Sequence, residues 1–291
     1  LADLVNKMDV QYENKVMSSL LLYADHMICK KGNAYSNTYS FFYETTQTYS
    51  NLYNYSTPYK QIVSDHSISG ANQLSGVYLD GSFKNIGASN LQSINHNQGI
   101  AYFSSQITGA NRISGDYAVK DFNFYLSNRP EEEILFETKY HLRPKVNESP
   151  TGLKPDQITY PAIFIKSIGG TNVPAAFGGL DKTIIDARCI ILAESAYQLD
   201  AAVSILKDMV KTKVCFIQND LPFNALGAYT GTAYNYTGLS APKTGSEDFI
   251  FIDEVNVSKN IGAAGGYKNL NPDIYNGFVD FNLNQFRYPR R

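Results

Sequence analysis

The stretch DARCIILAESAYQLDAAVSILKDMV, residues 186–210, places a strand directly before a helix. The apolar, β-branched run over 183–193 is typical of a buried strand. Ser195 stands where the helical pattern begins, and Gln198 follows three residues later, which is the spacing of a capping box. The predicted buried face of the helix consists of four apolar residues at helical spacing: Leu199, Val203, Leu206 and Val210.

Further strands are predicted on both sides of this unit. They are the apolar runs at 132–140, 160–167, 213–217 and 248–258. The glycine-rich residues 169–181 are interpreted as an irregular surface loop, because a phosphate-binding loop needs a helix directly after it and a strand follows here. Residues 129–260 therefore predict a β-β-α-β succession.

The first part of the chain predicts a long helix over residues 3–31, because its apolar residues recur at helical spacing. Lys30 and Lys31 suit the negative end of the helix dipole, and Gly32 suits the left-handed position after the last turn. The segment 1–32 can pack on the same sheet face as the second helix. We therefore predict an α+β fold class with a two-layer sheet-plus-helix core, in which the β-β-α-β succession is joined by the N-terminal helix.

An inserted antiparallel β-module is predicted within residues 33–128. Between 61 and 127, short runs alternate apolar and polar residues, as in GVYLDGSFKNIG (76–87), and turn dipeptides such as Asp80-Gly81 separate them. These runs predict five or six strands. Residues 33–60 are rich in tyrosine and are interpreted as a partly strand-like excursion lined with aromatic rings.

The last segment, residues 261–291, is rich in glycine and asparagine and ends in a basic tip. We interpret it as a C-terminal arm, and an ordinary frayed terminus is the alternative. Segments 33–60 and 261–291 are then the candidate arms between subunits. The candidate subunit-interface residues are the aromatic side chains of these two segments: Tyr35, Tyr39, Phe41, Phe42, Tyr43, Tyr49, Tyr53, Tyr55, Tyr59, Phe278, Phe281, Phe286 and Tyr288.

The composition favours protein contacts over nucleic-acid or membrane contacts. The 291 residues carry a net charge of −2, whereas a general nucleic-acid binder needs an excess of basic residues. No apolar run approaches the ~18 residues of a membrane span, and we expect no secretory signal because a basic start and a small-residue cleavage site are lacking. The chain has 22 Tyr, 16 Phe and no Trp, which suits surfaces that are buried on assembly; the codon bias of an AT-rich genome is the alternative explanation.

No pattern in the sequence predicts catalysis, a metal or a cofactor. The four histidines stand too far apart for a ligand pair, and the three cysteines, Cys29, Cys189 and Cys215, lie in apolar runs and are interpreted as core residues. The acidic cluster 131–133 is interpreted as a solvated cap at the start of an element. We therefore expect a protein that is not an enzyme and that needs no cofactor.

Several stretches carry a resemblance to a known class of protein. The strand–helix stretch 186–210 and NDLPFNALG (219–227) stand beside hairpin pieces VYLDG (77–81) and GIAYFSS (99–105). Together they resemble virion structural proteins of tailed bacteriophages, in particular the small α/β proteins of the neck, tail terminators and head–tail connectors. The length of the chain and the insertion at 33–128 depart from a minimal tail terminator.

The resemblance implies a non-enzymatic virion component that closes into a ring. Its partners would be copies of itself and neighbouring tail-tube, sheath or head-completion proteins, with no membrane and no sequence-specific nucleic acid. It would lie in the neck or tail of a virion assembled in the cytoplasm of a bacterial host. The alternatives are a collar, baseplate or fibre-attachment protein of the same virion, a carbohydrate-binding or glycan-cleaving protein, and an enzyme with a buried site.

Overall fold

A computed structural model of the chain shows a mixed α+β protein with more strand than helix. It describes residues 12–45, 51–109, 112–136, 140–141, 158–218, 221–224, 229–241, 243, 245, 248–259 and 274–288. Its helices, in chain order, are α1 (Tyr12–Gly32), α2 (Glu131–Phe136), α3 (Ala196–Lys207) and α4 (Tyr236–Ser240). Residues 3–11 of the predicted first helix lie outside the described residues, as do most of NDLPFNALG and the basic tip.

The strands of the described residues fall into one large sheet, two four-stranded sheets and one short pair. In chain order they are β1 (Tyr35–Phe41), β2 (Tyr43–Glu44), β3 (Tyr53–Ser56), β4 (Gly76–Leu79), β5 (Ser82–Asn85), β6 (Leu91–Asn95), β7 (Ile100–Phe103), β8 (Ile113–Lys120), β9 (Asn123–Leu126), β10 (Tyr140–His141), β11 (Ile158–Thr159), β12 (Ala162–Ala176), β13 (Leu180–Ala193), β14 (Lys213–Cys215), β15 (Phe249–Lys259) and β16 (Tyr275–Arg287).

The large sheet has six strands in the order β14-β15-β16-β13-β12-β9, and all its neighbours are antiparallel except β9 and β12. Helices α1 and α3 cover one face, where apolar side chains of both helices and the sheet form the largest core cluster. Ile134 and Leu135 of α2 cover part of the other face. Burial of these faces is the main force that holds the layers together.

Helix α3 begins where the sequence predicts. The Ser195 hydroxyl accepts a hydrogen bond from the backbone N–H of Gln198 at 3.2 Å, so Ser195 is the N-cap. Leu199, Val203 and Leu206 are buried as predicted. Val210 is not on the buried face, because α3 ends at Lys207 and the chain then turns away, leaving Val210 41% exposed.

The end of α1 differs from the prediction at one position. Asn33, and not Gly32, has the left-handed backbone, with φ of 46°. Gly32 is required for another reason: a Cβ at this position would lie 2.6 Å from Cδ1 of Ile205 on α3. The absence of a side chain at Gly32 lets the two helices approach each other.

The predicted strand over 132–140 is wrong in its first half, since residues Glu131–Phe136 form the short helix α2. Pro130 precedes three glutamates, a combination that favours the start of a helix, and the Ile134 N–H donates to the Pro130 carbonyl. The acidic cluster is also not simply solvated. Glu131 contacts Arg188 of the sheet at 2.9 Å, which anchors α2.

The β-module forms two separate sheets instead of one ladder. Their orders are β1-β8-β4-β5 and β2-β3-β7-β6. Strands β1 to β3, from the tyrosine-rich segment 33–60, pair with β8 and β7, so this segment belongs to the module and is not a free arm. The predicted turn at Asp80-Gly81 is confirmed, with positive φ at both residues between β4 and β5.

The described part of the predicted C-terminal arm is also not an arm. Residues Tyr275–Arg287 form β16, which lies in the interior of the large sheet between β13 and β15. Strand β9, which the sequence assigns to the insertion, joins the same sheet beside β12. The sequence obscures this arrangement because β16 pairs on one side with β13, from which α3, β14, α4 and β15 separate it along the chain.

Candidate assembly interface

The most exposed feature of the large sheet is the outer part of β12 and the turn after it. Residues 168–178, hereafter the edge segment, are all exposed, so both faces of the strand meet solvent. Phe177 is fully exposed at the tip, and Ile168 and Val173 are 50% and 44% exposed. The sequence predicts an irregular loop here, whereas the structure has a strand that pairs with β13 as far as Ala176.

The outer edge of this strand has no neighbour among the described residues. Strand β9 pairs with β12 only over Ala162–Ile165, which leaves 166–176 open on that side. Residues 167–180 contain no charged side chain. A long, uncharged edge is a template for pairing with another chain, and the features here that oppose such pairing are Pro174 and the bulges in the pairing with β13.

A groove with a volume of about 920 Å³ lies between the β-module and α3. Ser36, Asn37 and Thr38 of β1 form one wall. Side chains alternate along a strand, so a wall of three successive residues must include the backbone of β1. Strand β1 is at the edge of its sheet, with β8 on its other side.

The remaining walls of the groove are mainly aromatic and apolar, with the polar side chains of Asp121, Glu194 and Gln198 among them. Tyr197, Ala201 and Ile205 of α3 face β1 across the groove. Other lining residues come from the junction of module and core: Tyr59, Val119, Phe122, Tyr160 and Pro161. Tyr197 is 84% exposed, which is unusual for a large aromatic residue on a helix that packs on a sheet.

The edge segment and the groove lie at opposite ends of the same hairpin. Tyr160 and Pro161 immediately precede β12, and Glu194 follows β13, so the groove lies at the end remote from the turn at Gly178-Gly179. Strand β12 has 15 residues, which corresponds to roughly 50 Å of extended chain. The tip of the edge segment at Phe177 therefore lies far from the groove of its own molecule.

A buried polar network fixes the module to the core behind the groove. We call it the junction network: Asp25, His26, Asp65, Lys120 and Tyr234. The Lys120 ammonium contacts both carboxylate oxygens of Asp25 at 2.9 and 2.7 Å, and the Tyr234 hydroxyl donates to Oδ2 of Asp25 at 2.9 Å. Burial alone would lower the pKa of Lys120, but the Asp25 carboxylate raises it, so the ammonium form persists.

The second half of the junction network centres on Asp65. Its Oδ2 lies 2.6 Å from Nδ1 of His26, and its Oδ1 accepts hydrogen bonds from the backbone N–H groups of Ser67 and Tyr236. Burial by itself would raise the pKa of Asp65, but these hydrogen bonds outweigh it and lower the pKa. The carboxylate thus ties this part of the module to α1 and to the start of α4.

A small cavity of about 200 Å³ borders this network, lined in part by Asp25, Lys120, Tyr229 and Tyr234. The charged groups of this cavity, Asp25 and Lys120, form an ion pair with each other. Burial raises the pKa of Tyr234, and it raises that of Tyr229 to about 12. A protonated lysine and neutral phenols are poor nucleophiles and bases near neutral pH. The arrangement suits a structural junction.

The cysteines lie where the sequence predicts them. Cys29, Cys189 and Cys215 are free and buried, and burial raises the pKa of each thiol. A buried thiol with a raised pKa is a poor nucleophile. These residues pack in the apolar interior.

The aromatic residues proposed as interface candidates divide into three groups by exposure. Tyr39, Phe41 and Tyr288 are exposed. Five are half-buried: Tyr35, Tyr43, Tyr53, Tyr59 and Phe286. Four are buried within the subunit: Phe42, Tyr55, Phe278 and Phe281. The buried four cannot meet a partner in this conformation, and Tyr49 lies outside the described residues.

The sequence patterns do not predict the edge segment or the groove as surfaces for assembly, although Tyr59 of the groove wall is one of the predicted interface residues. A signal for the first was present. Gly178 and Gly179 both have positive φ, and a Gly-Gly pair between two apolar runs is a signature of a hairpin turn. No local sequence pattern predicts the groove, because its walls come from segments more than 150 residues apart along the chain.

The chain matches no protein-family model and no curated protein. Among the described residues, no helix is long and apolar enough to cross a membrane. The same part of the chain contains no cluster of three or more His, Cys, Asp or Glu side chains placed to hold a metal ion. The surfaces described above are therefore the basis for inferring a function.

Proposed function

We propose that the protein is a non-enzymatic structural subunit that assembles with copies of itself into a ring at the neck of a tailed-phage virion, as a tail terminator or head–tail connector. Its partners are further copies and the adjoining tail-tube, sheath or head-completion proteins. The virion forms in the cytoplasm of the bacterial host. The observation that carries the proposal is the edge segment.

The edge segment supports assembly because its exposure to water is energetically unfavourable in an isolated subunit. Its residues are exposed on both faces, its outer edge has no partner strand among the described residues, and Ile168, Val173 and Phe177 present apolar surface to water. Proteins usually protect such strands with charges, and residues 167–180 carry none. Burial against another subunit removes the apolar surface from water and supplies partners for the free backbone groups.

The order of elements supports the finer fold assignment. Strands β12 and β13, helix α3 and strand β14 follow one another along the chain, and α1 packs beside α3 on the same sheet face. This order is compatible with a β-β-α-β core and an N-terminal helix, which the resemblance to small neck proteins implies and which we propose here. The module attached through the junction network is the part by which this chain differs from a minimal tail terminator.

A collar, baseplate or fibre-attachment role in the same virion is the second candidate. It is favoured by the exposed aromatic residues on the outer strands of the module sheet: Tyr39 and Phe41 on β1 and Phe83 on β5. The Tyr39 and Phe41 rings lie 6.0 Å apart in an edge-to-face arrangement. Rigid aromatic pairs of this kind suit the docking of another protein.

The proposal is tested by the mass per particle of the purified full chain at increasing concentration, measured by light scattering. The wild type should form a multimer. The variant Val173→Asp/Phe177→Asp should stay monomeric, because two charges on the edge segment would have to be buried without partners. The control Phe83→Asp places one charge on a comparably exposed aromatic position and should assemble. A wild type that stays monomeric throughout would overturn the proposal.

A further inference from the structure

We infer that the groove between β1 and α3 is the acceptor site for the edge segment of a second copy, which enters it as an added strand on β1. This inference deepens the proposed function and rests on it. It assigns the two halves of one contact between subunits. The donor is residues 168–178, and the acceptor is the open edge of β1 together with the aromatic wall of α3.

The acceptor has the two components that strand addition needs. The first is a backbone edge with no partner strand in the described part of the chain, supplied by β1, of which Ser36, Asn37 and Thr38 border the groove. The second is a set of apolar pockets beside that edge for alternate side chains of the incoming strand, supplied by Tyr197, Ala201 and neighbouring residues. The groove volume of about 920 Å³ is at the upper end of the roughly 300–1,000 Å³ typical of ligand pockets.

The donor matches the acceptor in shape and charge. The edge segment is already extended, so little conformational entropy is lost when it enters the groove. It is uncharged, so it brings no charge of its own to be buried and none that would repel the Asp121 and Glu194 carboxylates of the groove wall. The side chains of Ile168, Val173 and Phe177 provide the apolar surface that would fill the pockets.

The positions of the two surfaces determine the type of assembly. Because donor and acceptor lie at opposite ends of the same hairpin, the contact is head-to-tail and each subunit uses two different surfaces. A heterologous contact closes into a ring if the rotation between subunits is suitable and otherwise continues as a filament. In a closed ring every exposed edge segment and every groove is occupied.

The test is photo-crosslinking of the full chain with benzoylphenylalanine in place of Phe177. This probe reports whichever residue lies beside it, so the register of the added strand need not be known. Mixing isotope-labelled and unlabelled copies identifies crosslinks between different molecules by mass spectrometry. The matched control carries the same probe in place of Phe83, which is 46% exposed and does not line the groove.

The expected result is crosslinks from position 177 to peptides that contain residues 34–38 or 197–205 of another copy, and none to these peptides from position 83. If the protein forms multimers but position 177 links to other surfaces, the groove assignment is wrong and the proposed function still stands. If no multimer forms at any concentration, the proposed function itself is wrong and the contact does not exist.

Discussion

Replacement of Lys120 by methionine tests whether the junction network holds the module to the core. Lys120 is 5% exposed and Asp25 is 3% exposed. Methionine retains most of the length of lysine but removes the charge. The Asp25 carboxylate is then left in a buried site, and among the described residues its remaining side-chain partner is the Tyr234 hydroxyl. Loss of one member of a buried ion pair costs about 3–5 kcal/mol of unfolding free energy.

The expected change is large enough for a simple assay. At about 2–4 °C per kcal/mol for a domain of this size class, the Lys120→Met variant should melt on the order of 10 °C lower than the wild type. Thermal unfolding followed by circular dichroism, with urea unfolding as a second measurement, would record the shift. The double variant Lys120→Met/Asp25→Asn should recover part of the loss, because the unpaired charge is removed while an acceptor for Tyr234 remains.

The matched control is Lys211→Met, which also removes a lysine from an aspartate. Lys211 contacts Asp253 at 2.6 Å, but the lysine side chain is 71% exposed. An exposed ion pair contributes little to the free energy of unfolding, so this variant should have the same melting temperature as the wild type. If Lys120→Met melts no lower than this control, or if the double variant is less stable than Lys120→Met alone, the account of the junction network is refuted.

Three further predictions concern single residues. Burial lowers the pKa of His96, so as the pH drops through about 6.5 the His96 side chain binds a proton in the unfolded chain before it does so in the folded chain. The urea midpoint should therefore fall over this pH range, and an equally steep fall in His96→Gln would contradict this explanation. Gly170→Ala should lower the melting temperature, since its Cβ would lie 2.6 Å from the Ile184 carbonyl oxygen, whereas Gly169→Ala, with nothing within 4 Å, should not; equal melting temperatures would contradict the packing. A thiol reagent should modify the native chain slowly and the unfolded chain fast at three positions: Cys29, Cys189 and Cys215.

Local signals explain which parts of the fold could be predicted. The capping pattern at Ser195 and the periodicity after it lie within one segment, and helix α3 begins where they indicate. The short helix α2 was missed because its Ile134 and Leu135 suit a strand as well as a helix. The position of β16 could not be predicted, because Cys189 pairs with Val279, 90 residues further along the chain, and no local pattern encodes that register.

The aromatic composition predicts an interface but does not indicate which residues form it. An excess of aromatic residues indicated burial on assembly, but aromatic residues fill cores as readily as interfaces. Phe281 and Tyr55 are buried within the subunit, whereas Phe177 and Tyr197, which were not chosen, are the most exposed aromatic side chains of the described residues. Exposure depends on which strand lies beside which, and that information is spread over the whole chain.

We propose a position at the head–tail joint, and antibody labelling of intact virions in the electron microscope is the measurement that examines this position. Antibodies against the purified chain, detected with gold particles, should label phage particles from the host that carries this gene at the joint between head and tail. Label at the distal tail would instead support the collar, baseplate or fibre-attachment alternative. Particles that carry no label at all, with the protein free in the lysate, would contradict a structural role in the virion.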